Sequence, residues 1–421
     1  MQAPLLDVPV QVTEEERAAG FAEQLEELLL DVGFVFPRVE LRHRAAACIR
    51  GLLAPLSRKN GWQLAEYAGD RDPGGQQHLL DRGRWDPDVL RDFTRRYAIA
   101  GLKDGGRGPG PGGSGVLVID ETGFAKKGRA SAGVAPQYSG ALGGVFPCQV
   151  GVMAAWVTTA GQALIDRELY LPKAWTEDRT RCRAAHVPER VAFTVKPRQA
   201  EAMISRIVPD LPKDQVWVAA DEVYGRDGAF RTFLEEHALP YVVAVQANQT
   251  VLPRPGWRHL GRLVERCARE EDWVEVPAAD PAARSFQWWA RRIPDPDMET
   301  GADDQARWLL ARRHPDDPAQ REYHLGWGPA ATGVEELIAV TSARWGVEVA
   351  IRLAKQAAGM ADYEVRSFHG WYRHISLAQL AAAFLAVQAA EAAREDAGGP
   401  PAERGGSATG AEGVPAPREP L

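Results

Sequence analysis

Two short apolar runs that each end in an aspartate constrain the fold of this chain more than any other feature. The runs are VLVID at 116–120 and VWVAAD at 216–221, and a further run, YVVAVQ, follows at 241–246. Short β-branched runs are typical of buried strands, and the stretch between the last two suits a helix. This alternation predicts an α/β fold with Asp120 and Asp221 at the carboxyl ends of strands, where the sites of open sheets assemble.

Composition and charge narrow the class of protein. The chain has 421 residues, of which 45% are hydrophobic and 25% charged, which is typical of soluble globular proteins and allows two or three domains. The net charge of -7 argues against a basic DNA-coating protein but is compatible with a local basic surface that binds nucleic acid. The four cysteines form no C-x-x-C pair, and the N-terminus does not resemble a signal peptide. We therefore expect a cytoplasmic protein.

The pattern along the chain predicts six regions. They are a helical N-terminal region (1–104), a Gly/Pro linker (105–115), a first α/β part (116–250), a Trp-rich, strand-containing insertion (251–330), C-terminal helices (331–395) and a disordered tail (396–421). Within the α/β part, further strands are expected at 147–158 and 162–170. The apolar stretch at 377–393 contains two glutamines, which indicates a buried helix and not a membrane span.

A long helix is predicted from Thr332 to about residue 357. The segment T-G-V-E at 332–335 fits a capping box at its start. Arg344, Glu348 and Lys355 lie within about 40° of one another around the helix axis. This charged face is either a salt-bridge ladder or a functional site, and the spacing alone does not decide between them.

A basic stretch in the N-terminal region is a candidate DNA-binding surface. Residues 38–59 contain six Arg or Lys, including Arg42, Arg44 and Arg50, against one acid. Such a helix either faces solvent without a ligand or contacts the DNA backbone. His369 and His374, in FHGWYRH, are expected to pack or to face DNA, because no metal-binding His pair is present.

Several motifs together resemble the DDE transposases of bacterial insertion sequences. The pattern R-x-x-x-E-x-x-x-x-x-x-K, present as Arg344, Glu348 and Lys355, is similar to the C-terminal signature of that family. Other similar stretches span about 40 to 390 in the same order, and they include LVIDETGFAKKGRASAGVAPQYSGALGGVFPCQVGV (117–152), AADEVYGRDGAFRTFLEEHALPYVVAV (219–245) and MADYEVRSFHGWYRHISLAQLAAAFLA (360–386).

The resemblance implies a fold, an activity and a site. It implies an RNase H-like catalytic core with a β-rich insertion before the last catalytic helix, and cleavage and transfer of DNA strands at the ends of an insertion sequence. Asp120, Asp221 and Glu348 then correspond to the catalytic carboxylates that bind two Mg²⁺ or Mn²⁺ ions. The implied partners are double-stranded DNA at the element ends and target, and a second copy of the chain in a homodimer bound to DNA.

The resemblance also implies which residues contact DNA. Arg344 and Lys355 correspond to the basic pair of the signature, and phosphate contacts are expected from Lys126, Lys127 and Arg129 and from Arg42, Arg44 and Arg50. The tryptophans of the insertion offer stacking platforms for an unpaired base, although most are expected to form core. They are Trp257, Trp273, Trp288, Trp289, Trp308 and Trp327.

Three positions depart from the family pattern, and two other functions stay open. The signature tyrosine is Thr341 here, the aromatic residue after the glutamate is Ile351, and Glu121 follows Asp120 where a second Asp is common. Because Glu121 points to the opposite face of its strand, we expect it not to bind the same metal. The alternatives are a transposase-derived DNA-binding protein without mobility and a metal-independent hydrolase with paired carboxylates.

Overall fold

The described residues before the first strand are mostly helical. The computed structural model describes residues 14–103, 115–139, 143–212, 216–251, 259–276, 285–293 and 304–397. Within these residues, five α-helices precede the first strand, namely α1 (Glu14–Asp31), α2 (Val39–Leu53), α3 (Gly61–Tyr67), α4 (Gly74–Gln77) and α5 (Pro87–Gly101). Side-chain caps stabilise the N-termini of two of these helices. The Asn60 side chain accepts hydrogen bonds from backbone N–H groups in the first turn of α3, and the Asp86 side chain accepts one from the backbone N–H of Asp88 in α5.

A mixed sheet of ten strands forms the centre of the molecule. Its strands are β1 (Val116–Ala125), β2 (Ala135–Ser139), β3 (Gly144–Val157), β4 (Gln162–Tyr170), β5 (Trp217–Ala220), β6 (Tyr241–Val245), β7 (Val274–Val276), β8 (Phe286–Ile293), β9 (Gln305–His314) and β10 (Asp317–Pro329). The order is β2-β3-β1-β5-β6-β10-β9-β8-β7, with β4 beside β3. The pairs β1–β5 and β5–β6 are parallel, and the predicted α/β class is confirmed.

The Trp-rich region continues this sheet. Strand β10 pairs antiparallel with β6, from Tyr323 opposite Val245 to Trp327 opposite Tyr241. Strands β9, β8 and β7 follow in antiparallel order. The region predicted as a strand-containing insertion therefore extends the central sheet beyond β6, and Val245 of β6 shares an apolar cluster with Leu309 and Ala311 of β9.

Helices cover both faces of the sheet. They are α6 (Lys173–Thr176), α7 (Arg179–Ala184), α8 (Lys196–Ile207), α9 (Glu222–Gly225), α10 (Gly228–Glu236), α11 (Leu260–Cys267), α12 (Val334–Gln356) and α13 (Phe368–Asp396). Alternate residues of β1 enter different cores: Val116 and Val118 pack in the cluster that contains α12, and Leu117 and Ile119 pack in the cluster that contains α8. The residue that follows Ile119 is thereby directed toward α12.

The start of α12 differs in detail from the sequence prediction. Gly333, not Thr332, is the N-cap, and its backbone N–H donates to the Glu336 carboxylate at 2.8 Å. The Thr332 hydroxyl instead donates to the carbonyl of Pro329 at 2.7 Å, within the preceding turn. The capping interaction therefore uses Glu336 and not Glu335, while the predicted extent of the helix is confirmed.

Helix α13 is longer than the predicted stretch 377–393 and lies in the core. Among the described residues it is one helix with the length and apolarity that could cross a membrane, and 72% of its most apolar part is buried inside the protein, as in a core helix. It packs against α5 and β4, and N-terminal residues such as Ile49 and Leu52 share its apolar cluster. The predicted linker at 105–114 and the tail from 398 lie outside the described residues, and the domain boundaries stay predictions.

Candidate active site

Two aspartates meet where the parallel pairing of β1 with β5 ends. Asp221 directly follows β5, whereas β1 continues to Ala125, so Asp120 lies within its strand and not at the carboxyl end that the sequence predicted. Ile119 pairs with Ala220 across these parallel strands, so the residues that come next, Asp120 and Asp221, are adjacent. Asp120 accepts the N–H of Glu121 at 2.7 Å, and Asp221 caps α9 by accepting the N–H of Val223 at 2.9 Å. Local backbone contacts therefore hold both carboxylates at the point where the parallel pairing of the two strands ends.

Burial and mutual repulsion make this pair unfavourable when both groups are charged. Burial, and after it the charge of Asp221, raises the pKa of Asp120 to about 7. Burial, and after it the charge of Glu121, raises the pKa of Asp221 to about 6. Arg344 lowers both pKa values in part. Paired oxygen ligands whose negative charge is incompletely offset are the donor set that Mg²⁺ or Mn²⁺ prefers, so these residues fit such an ion.

Glu348 lies one turn along α12 from Arg344 and does not complete a cluster in this structure. Its carboxylate is 3.6 Å from the Arg344 guanidinium, and 40% of its side chain is exposed. Among the described residues, no three His, Cys, Asp or Glu side chains are close enough to hold a metal ion. The structure thus brings Asp120 and Asp221 together with Arg344, whereas Glu348 as the third ligand stays a prediction.

Lys355 is partly buried and contacts β1. Its ammonium group donates to the Thr122 hydroxyl at 2.7 Å and to the Gly123 carbonyl at 2.9 Å, and it lies 5.1 Å from the centroid of the Phe124 ring. Burial lowers the pKa of Lys355 to about 8. Lys355 therefore fastens α12 to β1 just beyond Asp120, a role that the sequence pattern did not indicate.

Glu121 lies on the other face of β1, as its position in the strand predicts. It forms an ion pair with Lys196 of α8 at 2.5 Å, and the Tyr224 hydroxyl lies 3.5 Å from it. Its charge still reaches Asp221 and raises the pKa of that residue. Sequence reasoning missed Lys196, because nothing in its spacing connects it with a strand 75 residues away.

The basic residues after β1 differ in their surroundings. The Lys126 ammonium lies 3.3 Å from the centroid of the Tyr363 ring and donates to the Tyr363 carbonyl at 3.1 Å, and burial lowers its pKa to about 8. Lys127 and Arg129 are exposed, and the Arg129 carbonyl accepts a hydrogen bond from Arg181. The two exposed residues are therefore better placed to reach a ligand than Lys126.

The three N-terminal arginines all have partners within the protein. Arg42 donates to the Phe36 carbonyl at 2.8 Å, Arg44 lies 3.9 Å from Asp70, and Arg50 is paired with Glu26 at 2.7 Å. All three side chains keep exposed surface, but these contacts use part of the hydrogen-bonding capacity of each guanidinium group. Their role in DNA binding stays a prediction.

Most tryptophans of the sheet extension form core, as expected. Trp288, Trp289 and Trp308 are each 4% exposed, which leaves them no free ring face. Trp273 and Trp327 are half-buried, and Trp257 lies outside the described residues. The predicted histidines also pack: the His369 ring nitrogen contacts the Asp81 carbonyl and that of His374 contacts the Gly359 carbonyl.

An exposed tryptophan beside Arg344 was missed by sequence reasoning. Trp345 of α12 is 47% exposed, and the Arg344 guanidinium lies 5.0 Å from its ring centroid. It is about 100° around the helix from Arg344, next to the charged face. Helical geometry applied to every residue of α12, and not only to charged ones, would have identified it.

Comparison with known proteins agrees with this geometry. Residues 33–293 match a family model described as DDE superfamily endonuclease, a range that includes Asp120 and Asp221 and ends before Glu348. The chain is also 27% identical over 274 residues to the "Probable transposase for insertion sequence element IS701" of Microchaete diplosiphon. That alignment covers 63% of this chain and 66% of the relative, slightly less than two thirds of its length. The chain belongs to the DDE superfamily endonucleases.

Proposed function

We propose that this protein is a transposase that cleaves DNA strands at the ends of an insertion sequence and joins them to a target. The observation that carries the proposal is the buried pair Asp120 and Asp221 on two adjacent parallel strands, with Arg344 beside it. The family of the chain and the similarity to an insertion-sequence transposase support the same activity. Both reactions are in-line displacements at a phosphate.

Asp120 and Asp221 would hold divalent metal, Mg²⁺ or Mn²⁺, and Glu348 would supply a third carboxylate from α12. Two bound ions supply Lewis-acid chemistry, activating a water or 3′-hydroxyl and stabilising the leaving oxygen. Arg344 offsets part of the carboxylate charge and lies where a phosphate of the substrate would approach. Lys355 keeps α12 against β1, so that Arg344, on the same helix, stays near the aspartates.

The proposed substrate is double-stranded DNA at the element ends. The net charge of -7 requires a locally basic contact surface, for which the exposed Lys127 and Arg129 next to the site are candidates. Trp345 offers a stacking surface for a base near the cut. We further propose a homodimer on DNA, since two ends must be cut together, and action in the cytoplasm where bacterial DNA lies.

A transposase-derived DNA-binding protein without mobility is less favoured. Such a protein has no need of a buried acidic pair, yet both aspartates and Glu348 are present. The metal-independent hydrolase is also less favoured, because the family that the chain belongs to is one of nucleases.

Strand cleavage with and without metal tests the proposal. The full chain is incubated with a duplex that carries the inverted repeats flanking its gene, in Mg²⁺ or in EDTA, and the cut positions are mapped. We expect nicks at the repeat ends in Mg²⁺ alone. Metal should also raise the melting temperature of the unaltered protein but not of Asp221→Asn, since an ion that binds only the folded state stabilises it. Cleavage in EDTA, or no cleavage and no thermal shift with Mg²⁺ or Mn²⁺, would contradict the proposal.

A further inference from the structure

A cavity of about 580 Å³ lies between the N-terminal helices and the segment before α13. It is lined by residues of α3 and α4, by His186 and by residues 363–369. Tyr363 joins it to the active site, because Lys126, six residues after Asp120 in the chain, packs on that ring. At about 3.3 Å per residue along an extended chain, the cavity is on the order of 20 Å from Asp120. A DNA strand could span this distance.

The side chain of Gln76 lies in the wall of the cavity without partners. It is 1% exposed, and neither its amide oxygen nor its amide nitrogen has a hydrogen-bond partner in the described part of the chain. Unpaired buried amides are destabilising, so a ligand that offers both a donor and an acceptor would recover this energy. The edge of a nucleobase presents a hydrogen-bond donor next to an acceptor, and Gln is a common hydrogen-bond partner of adenine.

The rim of the cavity carries an aromatic surface and positive charge. Trp62 of α3 is 60% exposed and lines the cavity. Arg82 and Arg366 also line it, are exposed, and have no ion-pair partner among the described residues. The lining also holds two acids: Asp81 accepts the Ser367 hydroxyl at 2.6 Å, and the exposed Glu364 accepts the Asn60 amide at 3.3 Å. An aromatic ring beside free guanidinium groups suits a base and its phosphate.

His186 holds an unfavourable backbone conformation at the edge of the cavity. Its φ of 57° is left-handed, a position after a helix that usually carries glycine. The residue follows α7, and its imidazole lies edge-on to His369 with ring centroids 5.4 Å apart. A non-glycine residue in this conformation is strained, and such strain clusters at ligand-binding sites. Ala238, after α10, has the same kind of conformation (φ 52°) but does not line the cavity.

We propose that this cavity binds one nucleotide of a DNA strand that is unpaired and turned out of the duplex. The base stacks on Trp62 and reaches toward the Gln76 amide, and the phosphate lies by Arg82, Arg366 and His186. The volume lies within the range of small-ligand pockets, which exclude a duplex. The inference rests on the proposed function only for its substrate, a DNA strand, and not for the chemistry at Asp120.

Binding of single-stranded DNA without metal tests this proposal. The full chain, in EDTA, is titrated into a single strand of about 12 nucleotides that contains 2-aminopurine, and both anisotropy and 2-aminopurine quenching are measured. We expect Trp62→Ala to weaken binding roughly tenfold and to reduce quenching, whereas Trp62→Phe stays within about threefold. Gln76→Leu, which replaces the amide by an apolar group of similar size, should weaken binding without lowering the melting temperature.

Two glycine substitutions separate ligand binding from backbone strain. His186→Gly and Ala238→Gly each place glycine, which adopts a positive φ readily, at a position with a left-handed backbone. Neither substitution should therefore lower the melting temperature substantially. Only His186→Gly should weaken binding, by about threefold or more, because it removes one hydrogen-bonding group that faces the strand. Equal affinities for both variants would overturn the role of His186.

Other results would overturn the proposal as a whole. Affinity of Trp62→Ala within twofold of the unaltered protein, or weaker binding with unchanged quenching, would exclude base stacking in the cavity. Full competition by inorganic phosphate without any effect of Trp62→Ala would show an anion site only. The measurement is made in EDTA and follows binding alone, so a failure of the cleavage proposal leaves it interpretable.

Discussion

Asp120 and Asp221 follow directly on Ile119 and Ala220, which pair across the parallel strands β1 and β5. The register of two strands almost 100 residues apart therefore sets the distance between the two carboxylates. Burial acts on both, and the charge of Asp221 further raises the pKa of Asp120 to about 7. The two carboxylates therefore destabilise the fold when both are charged, and a cation bound between them would offset this repulsion.

The acidic pair should make the metal-free protein less stable as pH rises. A carboxyl whose pKa is raised from 3.8 to about 7 binds more protons folded than unfolded, so its contribution is favourable at about pH 4 and is lost as pH rises through 7. Asp120→Asn should flatten this dependence and be more stable than the unaltered protein at pH 8, by roughly 1–4 kcal/mol. Urea unfolding in EDTA at several pH values measures this. If the free energy of unfolding rose from pH 4 to 7 by the same amount in the unaltered protein and in the variant, the prediction would be wrong.

Lys355 should be important for stability as well as for activity. Its ammonium donates to Thr122 and Gly123 of β1, so Lys355→Ala leaves these groups without their partner and should cost about 1–3 kcal/mol. A lysine that contacted only a DNA phosphate would leave the melting temperature unchanged on replacement, so this measurement separates the two roles. Arg352→Ala, an exposed residue of the same helix, is the control and should be close to neutral. Equal melting temperatures for the two variants would refute the anchoring role.

Gly225 should be required for the placement of Asp221. A Cβ atom at this position, the last residue of α9, would lie 1.9 Å from the Ala244 carbonyl oxygen on β6. Gly225→Ala must therefore push α9, which begins just after Asp221, away from the sheet, at a cost of about 1–3 kcal/mol. Gly228→Ala, whose Cβ meets nothing closer than 3.8 Å, is the control. Thermal unfolding compares the two, and a stable Gly225→Ala protein would contradict the packing described.

The N-terminal arginines give a direct test of the predicted DNA surface. If Arg42, Arg44 and Arg50 contact phosphates, replacing all three with Gln should flatten the dependence of DNA affinity on salt, by about 0.9 in log–log slope for each phosphate that is no longer neutralised. Arg50→Gln alone should also remove the pair with Glu26, at a cost of about 0.2–1 kcal/mol. Anisotropy titrations at several salt concentrations measure the slope. An unchanged slope would show that these residues serve intramolecular pairs only.

Local sequence patterns predicted the strands and helices that position the site. The runs that become β1 and β5 are apolar and β-branched because both faces of the sheet are covered, so both strands were predicted. Asp221 follows its strand as expected, whereas Asp120 does not end β1, because the antiparallel pairing with β3 continues to Ala125. The T-G-V-E segment located the start of α12 to within two residues. Its cap was wrong because the Thr332 hydroxyl has a nearer acceptor in the preceding turn, at Pro329.

Contacts between distant segments could not be predicted in the same way. The pairing of β10 with β6 and the ion pair of Glu121 with Lys196 depend on the folded path of the chain, which no periodicity encodes. The same holds for Lys355, whose acceptors lie more than 230 residues earlier. The charged face of α12 was correctly located, but its side chains have partners that spacing does not reveal.

The most direct test of the account compares two adjacent acids of β1 in one cleavage assay. Asp120 faces α12 and Asp221, whereas Glu121 faces α8 and pairs with Lys196. In Mg²⁺, on duplex with the element ends, Asp120→Asn should lower the rate of strand cleavage by a factor on the order of a thousand or more, while Glu121→Gln stays within about tenfold. Both variants should keep DNA binding. Cleavage by Asp120→Asn at a rate near that of the unaltered protein, or equal losses in both variants, would contradict the assignment of the site.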